Sequence, residues 1–422
     1  MRSYCSILIN SISGAGLRIK KSEVIAQMGP LEGIKVLGFT HFAQAPFALQ
    51  TLGDLGADVI NIERPGSGDF NRSQYAEECL NGESPFFLAM NRNKRSMTLD
   101  MKNEKAKAVI QDLIRNTDVI VSNFRPGVLD KLGFGYEEAK KLNPRIIYAH
   151  AVGYGRKGPY EKLPGQDLMA QCLSGYTYLV GKDGPPQTGG TFLVDMYSAG
   201  MLTVGILAAL INRDRGGESQ EVEVSLLNSA LHLQCQELTH YMNTGRKPQR
   251  PKKFSGQVQS WAPYGIYATK DGYLCLSVVA ENKVDDLGAV LGIENLKEVM
   301  PDKEAMFRDR DKIYDVLQAA LDQNRTDYWI EELQKVGIWC GRVNDYEQTV
   351  NDPQVIYNEM IQNISHPVAG DIRVVNCPIG FSKTPASIRK APPLLGEHNE
   401  EILKELGYTD EKIEELKGEN IF

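Results

Sequence analysis

The chain reads as an α/β protein: a large body built on a mostly parallel sheet, with a smaller α+β segment in its middle. Two observations carry this. Through the first half, short apolar runs alternate with helical periodicity, and strands separated by helices of that length imply right-handed crossovers and parallel pairing. After Tyr241 the composition changes, and hairpin and helix-pair patterns replace the alternation.

The elements follow in order. Residues 34–39 form a buried strand bounded by Gly33, a helical pattern covers 47–55, and DVINIE at 58–63 is a second strand. Residues 105–116 put Val109, Ile110, Leu113 and Ile114 on one face, as an amphipathic helix does. Residues 118–121 and 146–151 give two more strands. Residues 196–212 are apolar almost all round, which predicts a buried helix, too short and too rich in small residues to span a bilayer. The turn RDRGGES at 213–219 and another buried element at 222–227 follow. The basic, proline-containing RKPQRPKK at 246–253 predicts an extended crossover. Residues 264–279 alternate around Lys270-Asp271-Gly272 like a hairpin, 311–336 read as two helices, and 400–416 as a short charged helix pair. The domain expectation is therefore a body of 28–241 and 346–422 with an insertion at 242–345. Residues 1–27 do not read as a secretory signal, because the basic residues Arg18, Lys20 and Lys21 follow the apolar stretch; a poorly ordered extension or an upstream start codon is expected, with an ordered helix as the alternative.

Composition narrows the function. The chain has 422 residues and a formal net charge of −7, which repels phosphate backbones and argues against a nucleic-acid partner. Its seven cysteines are scattered with no CxxC, a pattern of reduced thiols that predicts a cytoplasmic protein. Six histidines include no HxxxH pair, so no metal site is expected. No apolar run approaches the roughly 18 residues of a bilayer span, so no membrane partner is expected either.

Several strings, taken together, resemble the class III CoA-transferase family (CaiB/BaiF, formyl-CoA transferase-like). They are GADVI at 56–60 with Glu63-Arg64-Pro65, NKRS at 93–96 with LDMK at 99–102, and NFRPG at 123–127 with LGF at 132–134. NPRII at 143–147 leads to Gly153-Tyr154-Gly155 and Gly158-Pro159-Tyr160, and APPLLGEH closes the series at 391–398. Their order and spacing cover about residues 31–410. The resemblance implies a Rossmann-like large domain formed by both chain ends, a small middle domain and an interlocked homodimer. It also implies an enzyme moving CoA from an acyl-CoA donor to a carboxylic acid acceptor, with CoA as substrate and not as a prosthetic group.

TFLVDMYSAG at 191–200 matches the family's nucleophile segment, which makes Asp195 the catalytic residue. The chemistry needs an anion, and a carboxylate with a pKa of about 3.9 is one at neutral pH. Asp195 opens the apolar helix, where the dipole and free N–H groups favour its charge, and Ser198, Ala199 and Gly200 leave room for a thioester. On position alone it also reads as a helix cap. Asp167, after Gln166, is a second family carboxylate that orients substrate, assists proton balance or caps a helix at 168–173. Gly189, Gly190 and Gly256 are candidate oxyanion donors, with Gln257 beside the last. Tyr176, Tyr178, Trp261 and Tyr264 are candidates for the acyl pocket.

For CoA, the resemblance points to His41, Phe42, Ala43 and Gln44 at the entry and to Arg64 at a phosphate. It adds Leu99, Asp100, Met101 and Lys102 around the nucleotide, and Asn123, Phe124 and Arg125 by the adenine or pantetheine. Lys131 stands where some members have arginine, which keeps the charge and loses the fork. The same fold hosts α-methylacyl-CoA racemases, but these carry a histidine where this chain has Gln166, which cannot act as a base. A CoA-binding protein without catalysis is the other alternative.

Overall fold

The computed structural model describes residues 29–422 apart from residues 75, 278 and 420. The expected N-terminal extension, 1–27, lies outside the described residues. By compactness the chain divides into two units. The first takes the described residues up to Val152, together with Ala199–Val224 and Met360–Phe422; the second takes Gly153–Ser198 and Ser225–Glu359.

The first unit holds a six-stranded sheet of β1 (Lys35–Phe39), β2 (Asp58–Glu63), β3 (Lys94–Thr98), β4 (Val119–Ser122), β5 (Ile147–Val152) and β6 (Gln220–Ser225). The order is β3-β2-β1-β4-β5-β6. β1 pairs in parallel with β2 and with β4, and the β2·β3 and β4·β5 pairs are parallel too. Consecutive residues of a strand point to opposite faces, and both faces here are apolar. Leu37, Phe39, Ile120 and Tyr148 face the helix Glu104–Arg115 and the C-terminal residues Ile402, Leu403, Ile413 and Leu416. Val36, Val59, Val119 and Ile147 face Ala48, Leu49 and Leu52 of the helix Gln44–Asp54, and Ala199, Leu202 and Ile206. The buried Arg95 guanidinium joins Asp58 to Glu401 and Glu405, tying the last helices to the sheet. A hairpin the sequence reading did not find, β10 (Ile361–His366) with β11 (Gly370–Val375), completes this unit.

The helix Leu193–Asp214 corrects two expectations. It is 22 residues long with a mean hydropathy of 1.7 in its most apolar stretch, so length and composition alone would let it cross a membrane. It is also buried on one face and not all round: Ala199, Leu202 and Ile206 are fully buried, while Val204 is 56% and Ile211 53% exposed. Spacings of three and four residues explain the stripe.

In the second unit, β7 (Gly265–Thr269), β8 (Gly272–Leu276) and β9 (Cys340–Arg342) form an antiparallel sheet. The predicted hairpin and helix pair are both present, the helices being Arg310–Leu321 and Thr326–Lys335. Asp271 in the hairpin turn accepts from the Thr326 N–H and hydroxyl and pairs with Arg325, which locks turn to helix. Tyr267, Leu274, Leu317, Leu321 and Leu333 fill the core. The segment 242–345 falls inside this unit, which also takes in 153–198, 225–241 and 346–359. The helices Asp167–Leu173 and Leu226–Leu233 belong here because Ala170, Leu226 and Ala230 bury one another and Val194.

Candidate active site

Asp167 and Asp195 meet in the second unit at the start of the helix Leu193–Asp214. The first four N–H groups of a helix have no partner within it. Here each is satisfied: Leu193 donates to the Thr191 carbonyl, Met196 to the Phe192 carbonyl, and Val194 and Asp195 to one oxygen of Asp167 at 2.7 and 3.0 Å. Asp167 is thus the cap, and of this helix, not of Asp167–Leu173, which it begins. It is only 5% exposed. Its other oxygen accepts from the Gln171 side-chain amide nitrogen, and Gln171 Oε1 accepts from the Gly189 N–H at 3.0 Å. Upstream, the backbones of Gly153 and Gly165 approach so closely that a Cβ on either would come within 2.7 Å of the other's Cα. Glycine is required there, and it brings the chain round to Asp167.

The Asp195 carboxylate stands apart from this network. It receives no hydrogen bond from any described residue, and the N–H groups expected to favour its charge are taken by Asp167. Burial first, and the Asp167 charge second, push its pKa up to about 7. The expectation of an ordinary, fully ionised aspartate is corrected: desolvation and a like charge both disfavour the anion. Burial and then the Asp167 charge also hold the Tyr176 hydroxyl above its usual range, so it stays neutral. Ser198 is fully buried and donates to the Asp195 carbonyl, and Ala199 is packed in the core. Only Gly200 has open space where a Cβ would stand.

In the first unit, the four groups assigned to CoA follow the carboxyl ends of four parallel strands: His41 after β1, Arg64 after β2, Leu99 after β3 and Asn123 after β4. The strand order reverses between β1 and β4, and open α/β sheets bind ligands outside the carboxyl ends at such a reversal. His41 and Asn123 clasp each other across it. The His41 N–H donates to Asn123 Oδ1 at 3.0 Å, and Asn123 Nδ2 donates to the His41 carbonyl at 2.6 Å. The rings of His41, Phe42, Phe70 and Phe124 gather there, with His41 5.5 Å from Phe124 and Phe42 5.0 Å from Phe70. Phe42 has a left-handed backbone (φ 63°), held by Asp69 at its N–H and Asn71 at its carbonyl. Three buried polar atoms of this cluster, His41 Nδ1, Asp69 Oδ2 and Asn71 Oδ1, have no partner among the described residues. Burial lowers the His41 pKa and lifts that of Asp69 to about 6.

The sequence profile of CoA-transferase family III matches residues 31–399. The chain belongs to that family. It is 34% identical to a succinyl-CoA:glutarate CoA-transferase of Mus musculus over 92% of this chain and 89% of that one. It is 34% identical to a formyl-CoA:oxalate CoA-transferase of Streptomyces coelicolor over 93% and 98%. A CaiB/BaiF family protein from Brucella suis superposes with a TM-score of 0.80 at 31% identity, over 90% of this chain and all (100%) of that one. The protein is therefore an enzyme that transfers CoA between an acyl-CoA and a carboxylate.

Not every expected residue of this CoA-transferase stands where a ligand could reach it. Leu99 is 1% exposed and belongs to the core under the sheet, with Met101 packed against it. Ala43 is buried, and Gln44, also buried, donates to the Val224 carbonyl. Asp100 accepts from the Lys102 N–H and so shapes its own turn. Arg64, Lys102, Arg125 and Lys131 are exposed cations. In the second unit, Gln166 is exposed and makes no capping bond. Gln257 is tied to Glu237 at 2.5 Å and accepts from Gln259 and Ser260, so it braces its own loop. Gly256 lies where a Cβ would sit 2.9 Å from the Tyr264 carbonyl, a reason of packing. Gly189 cannot serve an oxyanion, since its N–H goes to Gln171; Gly190 stands in open space. A cavity of about 650 Å³ in this unit is lined by Trp261, Trp339, Lys283 and Lys303 among others, and neither Asp167 nor Asp195 borders it. The sequence reading missed Gln171, whose signal was its place four residues after Asp167 on one helix face. It also missed Asp69 and Asn71, which lay in the unremarked turn GSGDFNR.

Proposed function

We propose that Asp195 is the covalent nucleophile of CoA transfer. One observation carries this reading. Of two carboxylates at one helix start, Asp167 takes the N–H groups, and Asp195 is left half-buried with no hydrogen-bond donor on it among the described residues. A desolvated carboxylate free of donors keeps its lone pairs for attack.

The sequence of bonds is balanced without a proton. A carboxylate oxygen of Asp195 attacks the thioester carbonyl of the donor, and the C–S electron pair leaves with CoA as thiolate. The resulting mixed anhydride is attacked at the aspartyl carbonyl by that thiolate, which releases the first carboxylate and leaves an aspartyl-CoA thioester. The acceptor carboxylate attacks this thioester, and the thiolate, freed again, attacks the acceptor's carbonyl and restores Asp195. Gly190 is the remaining candidate for a backbone oxyanion donor. The nucleotide end of CoA is assigned to the carboxyl edge of the parallel sheet, between His41, Phe42, Phe124 and the exposed cations Arg64 and Lys102. The names of the relatives favour short dicarboxylic acids such as glutarate or oxalate as acceptors. The family's dimer is part of the reading. Its support is the helix Cys235–Thr244, which has no buried residue in the single chain.

The test is Asp195→Asn, assayed with succinyl-CoA and glutarate or oxalate and checked by mass for deamidation. Loss of transfer is expected, as is a hydroxamate at Asp195 when the wild type is mixed with donor and hydroxylamine. An active Asp195→Asn enzyme would sink the assignment.

A further inference from the structure

We propose that Gln171 is a positioning residue that holds Asp167 as an acceptor-only carboxylate and so sets where the nucleophile's helix begins and which charge faces it. The proposal deepens the reading of Asp195 as nucleophile and rests on it. The argument is one of donors and acceptors. Gln171 is 2% exposed, and an amide buried so deeply must satisfy both ends. The Gly189 N–H can only donate, so the oxygen of Gln171 must face it, and the amide nitrogen must face Asp167. Asp167 then receives Gln171 on one oxygen and two backbone N–H groups on the other. Each partner of Asp167 is a donor, so a protonated Asp167 would set donor against donor. The chain from Gly189 through Gln171 and Asp167 to Val194 and Asp195 has one polarity, in which Asp167 is the acceptor of every bond it makes beside the nucleophile.

Among the described residues, the elements packed around Asp195 carry few other titratable groups. Tyr176 lies on the turn after Asp167–Leu173 and is neutral. His232, on the helix Leu226–Leu233, is engaged with Tyr197 at 2.5 Å. Asp167 is the charge that acts on Asp195.

A relay of this kind can be reversed. Gln171→Glu alone sets two carboxylates face to face, and Asp167→Asn alone sets two amide NH₂ groups face to face. The double variant Asp167→Asn/Gln171→Glu restores every bond. The new amide oxygen accepts from Val194 and Asp195, its nitrogen donates to the new carboxylate, and the other carboxylate oxygen accepts from Gly189. Each single variant is expected to lose at least about tenfold in kcat/KM, as a broken charged hydrogen bond does. The double variant is expected to return to within about threefold of wild type.

The negative charge now sits one side chain farther from Asp195, so the acid limb of kcat/KM moves to lower pH in the double variant. A merely structural role would restore thermal stability and leave the limb in place. If neither single variant folds, a soluble double variant that unfolds cooperatively is itself the rescue, and an insoluble one overturns the proposal. A double variant no better than the worse single, or with an unmoved limb, overturns it too. Asp195→Asn in the wild-type background separates the two ideas. Activity there refutes the nucleophile, while inactivity there together with a failed swap refutes the relay alone.

Discussion

The rate of CoA transfer should fall steeply in mild acid, and the size of the fall follows from the surroundings of Asp195. Its pKa is pushed to about 7 by burial and then by Asp167. On the proposed role of Asp195, attack requires the anion, so the active fraction rises as pH rises through that value. The ionised share is about nine-tenths at pH 8 and about one-hundredth at pH 5. kcat/KM, which reports the free enzyme, should therefore drop about 90-fold between these points. An aspartate in its ordinary range would lose less than about a tenth over the same span. The assay is initial-rate transfer from succinyl-CoA to glutarate, followed by separation of the acyl-CoA species at saturating acceptor. CoA brings its own titration, because its 3′-phosphate has a second pKa near about 6. Repeating the profile with succinyl-pantetheine, which has no phosphate, removes that source. A flat profile from pH 8 to pH 5.5 with both donors would refute the argument that desolvation and Asp167 govern the nucleophile.

Four further outcomes are expected. Asp195→Asn should be more heat-stable than wild type at pH 8 and equal to it at pH 4; differential scanning calorimetry at the two pH values checks this. The folded pKa is raised, so wild type loses stability as pH climbs from about 4 through 7, by about 1–3 kcal/mol after allowance for partial exposure, and asparagine does not. Asp167→Ala removes the cap from two N–H groups and strands the Gln171 amide, so it should cost about 1–2 kcal/mol or more in a urea titration. Asn123→Ala opens the clasp on His41, and a rise of about tenfold in the KM for acyl-CoA, with kcat within about threefold, is the expected steady-state result. Gln166→His should not exchange deuterium at Cα of a 2-methylacyl-CoA, as followed by mass spectrometry, because position 166 is exposed; exchange there would show that one histidine suffices for the racemase reaction.

The parts of this fold that were legible in sequence are those governed by local period. DVINIE and the Val109-Ile110-Leu113-Ile114 stripe announce themselves because side chains alternate in strands and recur every three to four residues in helices. The β10–β11 hairpin was missed: its apolar residues are few, and its turn lacks the Asn-Gly or Asp-Gly signal. The helix Leu193–Asp214 looked uniformly buried because composition does not tell which apolar face a chain covers. The candidate Asp195 came from resemblance, and its raised pKa could not, since burial and the approach of Asp167 arise only from folding. Gln257 and Leu99 show the converse error. Leu99 sits in a matching string yet fills the core, and Gln257, singled out beside Gly256, braces its own loop; neither a string nor a neighbour in sequence says where a side chain points.

The two carboxylates explain each other. A helix start offers N–H groups and a favourable dipole, and any carboxylate there will take them. Had Asp195 done so, it would have been a better ion and, in the role proposed for it, a weaker nucleophile, its lone pairs engaged and its pKa low. Asp167 occupies the N–H groups instead, which leaves Asp195 within the favourable field of the helix but without its hydrogen bonds. The cost is that part of Asp195 is protonated at neutral pH. The gain is basicity, and nucleophilic attack strengthens with basicity among like groups. It follows that removing the cap should not simply weaken the fold. Without Asp167 the freed N–H groups and the lost negative charge would both draw Asp195 toward an ordinary, well-hydrogen-bonded carboxylate. In an Asp167→Ala enzyme that remains folded, the acid limb should therefore move to lower pH while the plateau rate above it falls. A plateau that held its height would mean that the pairing of these aspartates serves stability alone.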